Sequence, residues 1–254
     1  MSAPPMQLFR QLVPHLFTLA NLFAGFYGLV MVARGEFLAG FGFIVLAALF
    51  DMLDGILSRW IGVASEFGVE LDSLADLVSF GVAPAYLLYA VHFHQLGEPG
   101  ILLSAIPALA GALRLARFNV QLTSLADKSS YTGLPIPAAA LTLGSYAVFY
   151  HPLPLASPWE SLAPIGLTVL LAGMMLSRVQ YPNVPRYTRR YIRQHPVETI
   201  VFSLGVLVVV VTMGKALFPL LLVYVVGAIP RHLLRRRAER ARRRIEELDT
   251  EGLL

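Results

Sequence analysis

Apolar residues run along this chain in long blocks broken by short polar, Gly or Pro punctuation, and the block lengths predict what it builds. Stretches of ~17 to 25 apolar residues are long enough to cross a bilayer as helices. Such stretches fall near 13–33, 37–58, 71–93, 99–119, 134–152, 160–178, 198–214 and 217–231. The predicted fold is all-α, a polytopic integral membrane bundle of about eight transmembrane helices. Only Gly214 and Lys215 separate the last two blocks, which predicts a tight hairpin or a re-entrant pair. The first block follows Arg10, continues for a full span and carries no small-residue cleavage site, so it is expected to be retained rather than removed as a signal peptide. Residues 1–231 are read as one membrane domain and 232–254 as a basic cytoplasmic helix or tail.

Composition agrees with this pattern. Of the 254 residues, 56% are hydrophobic and the mean hydropathy is +0.65, above the ~45 to 50% apolar share of soluble domains. There is no cysteine, which excludes disulfides and thiolate metal sites, so any metal must be held by oxygen or histidine. The net charge of +4 is uneven, because eight arginines lie between Arg231 and Arg244. Cytoplasmic loops are enriched in Lys and Arg. An N-terminus inside places Arg59, Arg114, Arg117, Lys128, Arg178, the cluster from Arg186 to Arg193 and the tail inside, and leaves Arg34 and Lys215 outside. The expected location is the inner (cytoplasmic) membrane, with both termini and the junction of helices 2 and 3 facing the cytoplasm. In the tail, Leu234, Ala238, Ala241, Ile245 and Leu248 recur at heptad-like spacing, a stripe suited to anionic lipid or a second subunit. No nucleic acid partner is expected of a tail tethered to the membrane.

The chemistry is concentrated at the junction of helices 2 and 3. Asp51 and Asp54 are three residues apart, and Asp72 and Asp76 four apart. At 3.6 residues per turn each pair shares a helix face, and a short turn would let the pairs face each other. An ionised side chain at membrane depth costs about 2.5 to 3.5 kcal/mol on the insertion scale, so four unpaired carboxylates cost roughly 10 kcal/mol or more. Hard divalent cations such as Mg2+ or Mn2+ take oxygen ligands, and two of them formally neutralise four carboxylates at a separation known from two-metal phosphoryl chemistry. Gly55, one turn past Asp51, permits close approach of a large ligand, and Gly68 does likewise beside the second pair. Arg59 offers a forked guanidinium to a phosphate oxygen, and Ser65 a hydroxyl.

These residues resemble the motif of the CDP-alcohol phosphotransferase family, DxxDGxxAR, eight residues, then GxxxDxxxD. Asp51, Asp54, Gly55, Arg59, Gly68, Asp72 and Asp76 keep every spacing, and Ser58 replaces the usual alanine. The resemblance implies that the four aspartates bind the metals, that Asp76 is also the general base, and that Gly55, Arg59 and Ser65 contact a CDP-lipid. In helix 1, PHLFTLAN is similar to the family segment covering the nucleotide, which brings in Thr18 and Asn21. ELDSLADLVSFGVAPA, LRLARFNV, GLPIPAAA and MMLSRVQYP resemble the branch of the family formed by the phosphatidylserine synthases, over roughly residues 12–185. That likeness implies CDP-diacylglycerol and L-serine as substrates, phosphatidylserine and CMP as products, and a homodimer among membrane lipid.

A serine zwitterion needs a fixed cation and a hydrogen-bond acceptor. Arg114, Arg117 and Asn119 lie at the cytoplasmic end of helix 4, with the arginines on one face, and Ser79 follows Asp76 by about one turn. All four are candidates for the acceptor pocket. The rival readings are another acceptor (glycerol 3-phosphate or inositol phosphate), an archaeal CDP-lipid donor, or a cation or proton-coupled transporter. Transport predicts acids spread through the membrane and often a repeat, whereas these acids gather at one junction.

Overall fold

A computed structural model of the chain describes residues 5–61, 65–123, 133–151, 159–181, 193–194 and 196–251. Lys128, the arginines between 182 and 192, and the side chains of Arg59 and of the tail from residue 235 onward lie outside the described residues. The elements are α1 (Pro5–Ala33), α2 (Phe37–Ile61), α3 (Glu66–Asp76), α4 (Ala83–Val91), α5 (Glu98–Thr123), α6 (Ile136–Phe149), α7 (Trp159–Leu176), α8 (Pro196–Val211) and α9 (Leu217–Glu251). A π-helical segment, Leu77–Val82, joins α3 to α4.

Val13–Ala33, Phe37–Ser58, Glu66–Val91, Glu98–Gln121 and Leu217–Leu234 are long and apolar enough to cross a membrane, while Ile136–Phe149, Leu162–Leu176 and Thr199–Val211 are shorter apolar helices. The chain is an integral membrane protein, and each expected apolar block forms a helix. The helices α6 and α8 end at Phe149 and Val211, short of the predicted ends, because residues 150–151 and 212–216 form turns. The outer faces remain apolar, with Phe23 63%, Leu102 72% and Val223 72% exposed, as suits contact with hydrocarbon. α9 runs unbroken past residue 231, so the expected domain boundary falls inside one helix. Between α8 and α9 the chain reverses through Met213 and Gly214, both at positive φ, and Gly214 N–H donates to Val209 O at 2.8 Å.

The third block is one rod with a register change that the hydropathy pattern did not reveal. Pro84 has no N–H for the Phe80 carbonyl and its ring crowds that position, so an α-helical register cannot pass undisturbed. The backbone adopts i→i+5 bonding instead, with Ala83 N–H donating to Val78 O. This π segment begins directly after Asp76. Its Phe80 and the Leu87 and Leu88 of α4 are fully buried, packed in one core with Ile44 of α2, Ile136 and Leu143 of α6 and Leu171 of α7.

Small residues bring α1 close to its neighbours. A Cβ on Gly40 of α2 would lie 3.1 Å from Gly28 O of α1, and one on Gly25 would lie 2.7 Å from Ser79 Cα in the π segment. Gly25→Val is therefore expected to destabilise the protein by about 1 to 3 kcal/mol, the usual cost of overpacking. Thermal unfolding in detergent checks this; an unchanged midpoint would show that α1 can move away freely.

The segment Gly133-Leu134-Pro135-Ile136-Pro137 starts α6, with Pro135 as its N-cap residue. Gly133 N–H donates to Val179 O at 2.8 Å and Leu134 N–H to Met174 O at 3.0 Å, docking this start on the end of α7.

Candidate active site

Three of the four carboxylates meet, Asp51 of the first pair with Asp72 and Asp76 of the second, with α1 supplying the scaffold. At the start of α3, Ser65 is an extended N-cap residue whose Oγ accepts from Gly68 N–H at 3.0 Å. This starts the helix so that Asp72 and Asp76 point towards α2. Asp51, Asp72 and Asp76 each present a carboxylate oxygen, and the three lie within 4.8 Å of one another. Asp54, buried, interacts electrostatically with Asp51 and Asp72.

Two side chains of α1 hold the carboxylates in place. Thr18 Oγ1 donates within reach of Asp54 Oδ2, 3.1 Å, and of Pro14 O, 3.2 Å. Asn21 Nδ2 donates to Asp76 Oδ1 at 3.1 Å. Thr18 and Asn21 are three residues apart on one helix face, a spacing that could have indicated a joint task. The structure thus gives both residues carboxylate partners in addition to the nucleotide contacts the resemblance implies.

Like charges about 5 Å apart repel by roughly 3 kcal/mol per pair at an effective dielectric near 20. Asp72 Oδ1 is also buried without a hydrogen-bond partner, and an unpaired buried anionic oxygen costs further desolvation energy. An oxygen-only, anionic donor set with an unpartnered buried oxygen fits a hard divalent cation. The three clustered aspartates can bind a metal ion, and the residues present match what such an ion requires.

The remaining predicted residues separate. Gly55 is half-buried and its carbonyl lies 3.4 Å from Ser58 Oγ. The space over Gly68 is approached by His15 of α1, whose Cε1 would be 3.0 Å from a Cβ there. His15, unremarked in the sequence, also packs edge-on against Phe67 at 5.6 Å. Arg59 lies in α2, its side chain outside the described residues. Ser79 is fully buried and donates to Asn21 O at 2.9 Å, tying the π segment to α1. Asn119 Nδ2 donates to Ser73 Oγ at 3.0 Å, locking α5 against the residue next to Asp72. The two arginines differ most. Arg117 is exposed and donates from Nη1 to Leu176 O at 3.1 Å. Arg114 turns inward and interacts electrostatically with Asp76 and with Tyr224 of α9.

The model of the family described as CDP-alcohol phosphatidyltransferase matches residues 11–179, which include all four aspartates. A protein of Helicobacter pylori strain J99 named CDP-diacylglycerol--serine O-phosphatidyltransferase is 37% identical over 182 residues, 70% of this chain and 73% of that protein. One of the same name from Bacillus subtilis is 32% identical over 175 residues, 69% of this chain and 92% of its own. A protein of Methanothermobacter thermautotrophicus named archaetidylserine synthase is 38% identical over 176 residues, 68% of this chain and 70% of its own.

Proposed function

The chain belongs to the CDP-alcohol phosphatidyltransferase family, and from that premise we propose that it transfers the phosphatidyl group of CDP-diacylglycerol to the hydroxyl of L-serine, giving phosphatidylserine and CMP. The observation that carries this reading is the meeting of Asp51, Asp72 and Asp76 inside the segment shared with relatives named for that reaction.

An alcohol is a weak nucleophile at neutral pH, so its proton must be taken as it attacks. Asp76 is the general base. Asn21 engages one of its oxygens and leaves the other for the serine proton. The serine oxygen forms a bond to the lipid-bearing phosphorus, and the bond from that phosphorus to the bridging oxygen breaks, its electron pair leaving with CMP. Asp51, Asp54, Asp72 and Asp76 hold the divalent ions, Mg2+ or Mn2+, which when bound neutralise the diphosphate and the charge developing on CMP. Thr18 keeps Asp54 in position for this. Gly55, Arg59, Ser65 and Gly68 form the donor side of the site, with Arg59 on a phosphate oxygen. Arg114 binds the serine carboxylate, the cation of its helix that faces Asp76.

In the bilayer the aspartate end faces the cytoplasm, where serine and nucleotides are soluble, with both termini on that side. The chain works as a homodimer, and its basic tail rests at the membrane surface.

The test uses purified protein with CDP-diacylglycerol, a divalent ion and, separately, serine, glycerol 3-phosphate or inositol phosphate. CMP and the lipid product are both measured. CMP release and phosphatidylserine formation that require serine are expected; turnover with a phosphorylated alcohol instead would overturn the acceptor assignment.

A further inference from the structure

Tyr224 lies on α9, beyond the residues the family model matches, yet its surroundings tie it to the acceptor end of the site. Tyr181, buried after the end of α7, packs its ring against that of Tyr224 with centroids 5.3 Å apart and planes at 44°. Its hydroxyl donates to Val225 O at 3.3 Å, pinning the backbone next to Tyr224. Burial first, then neighbouring Tyr224, pushes the Tyr181 phenol up, so it stays a donor. Tyr224 is thereby held where it interacts with Arg114, whose Nε is buried without a hydrogen-bond partner. Arg114 interacts in turn with Asp76.

Arg114 interacts both with a carboxylate of the cluster, Asp76, and with the Tyr224 phenol. A long guanidinium side chain loses about 2 kcal/mol of rotamer entropy when fixed. Without a partner on the α9 side, attraction to the aspartates would draw it into the metal cluster, away from an incoming carboxylate. We propose that Tyr224 is a positioning residue, which with Tyr181 holds the Arg114 guanidinium out towards the carboxylate of the acceptor amino acid and so sets the affinity for that substrate. The inference rests on the acceptor reading given above and adds to it an element outside the family segment.

Initial rates of the purified full-length protein against L-serine, at saturating CDP-diacylglycerol, and against CDP-diacylglycerol, at saturating L-serine, provide the test. Tyr224→Phe is expected to raise KM for serine about tenfold, leaving kcat and KM for the lipid within about twofold and the thermal midpoint unchanged. Arg114→Gln should raise the serine KM at least as much, and adding Tyr224→Phe to it should raise it no further, since the tyrosine acts through the arginine. An unchanged serine KM in Tyr224→Phe, effects that multiply in the double variant, or a parallel loss in both KM values and stability would each overturn the inference while leaving the acceptor reading intact. Wild-type protein with no serine-dependent turnover would overturn the acceptor reading and this inference with it. If Tyr224→Phe does not fold, Tyr181→Phe, which removes only the bond to Val225 O, should raise the serine KM about threefold, and no rise there overturns the proposal.

Discussion

Asp76→Asn is expected to lower phosphatidyl transfer by about 10²- to 10⁴-fold, the range over which a positioned general base contributes, with the loss at the upper end because a metal ligand goes with the base. The fold should survive. Asn is isosteric with Asp, and the new side chain's oxygen can still accept from Asn21 Nδ2, the bond seen at 3.1 Å. The substitution also removes a buried charge that interacts with the other three aspartates, so the thermal midpoint in metal-free buffer should hold or rise. Rates of CMP release and the unfolding midpoint, measured on the same preparation, decide the matter. Activity above a tenth of wild type would remove Asp76 as the base, and a loss of activity accompanied by unfolding would make the residue structural.

Removing divalent ions is expected to have a comparably large effect. With a chelator, transfer should fall to background, and Mg2+ or Mn2+ should restore it. The physical reason is the close approach of Asp51, Asp72 and Asp76, whose oxygens lie within 4.8 Å of one another, with Asp72 Oδ1 buried and unpartnered. Such a cluster repels itself when bare, so metal should also stabilise the fold, by about 2.7 kcal/mol at a concentration 100 times its dissociation constant. Asp72→Asn should raise the metal concentration needed for half-maximal activity. Full activity in the chelator would exclude a metal from the reaction, and an unfolding midpoint insensitive to Mg2+ and Mn2+ would exclude these ions from the aspartate cluster.

Much of the site was legible because helical periodicity is a local property. Asp51 and Asp54, and Asp72 and Asp76, share faces whatever surrounds them, whereas the helix start at Ser65 lies upstream of the apolar block that begins near residue 71. The register change after Asp76 has its cause in Pro84, but hydropathy does not register it, since a π segment is as apolar as an α-helix. The partners of the carboxylates were harder to see. Thr18 meets Asp54 across 36 residues and Asn21 meets Asp76 across 55, distances over which the spacing of residues carries no geometric information. Ser79, placed beside Asp76 by sequence, turns instead into the α1 interface, where Gly25 leaves room for it.

The sequence by itself determined the membrane residence, the helical blocks and the shared face within each aspartate pair, because hydrophobic length and helical phase are dictated residue by residue. Only the tertiary structure decided which side chains hold that cluster and which of two arginines on one helix interacts with it. Arg114 and Arg117 are chemically identical and three residues apart. Packing against α7 gives Arg117 the Leu176 carbonyl, whereas Arg114 interacts with Asp76 of α3 and Tyr224 of α9. A helix's own periodicity states which residues look the same way; what they look at depends on the helices that happen to pack there.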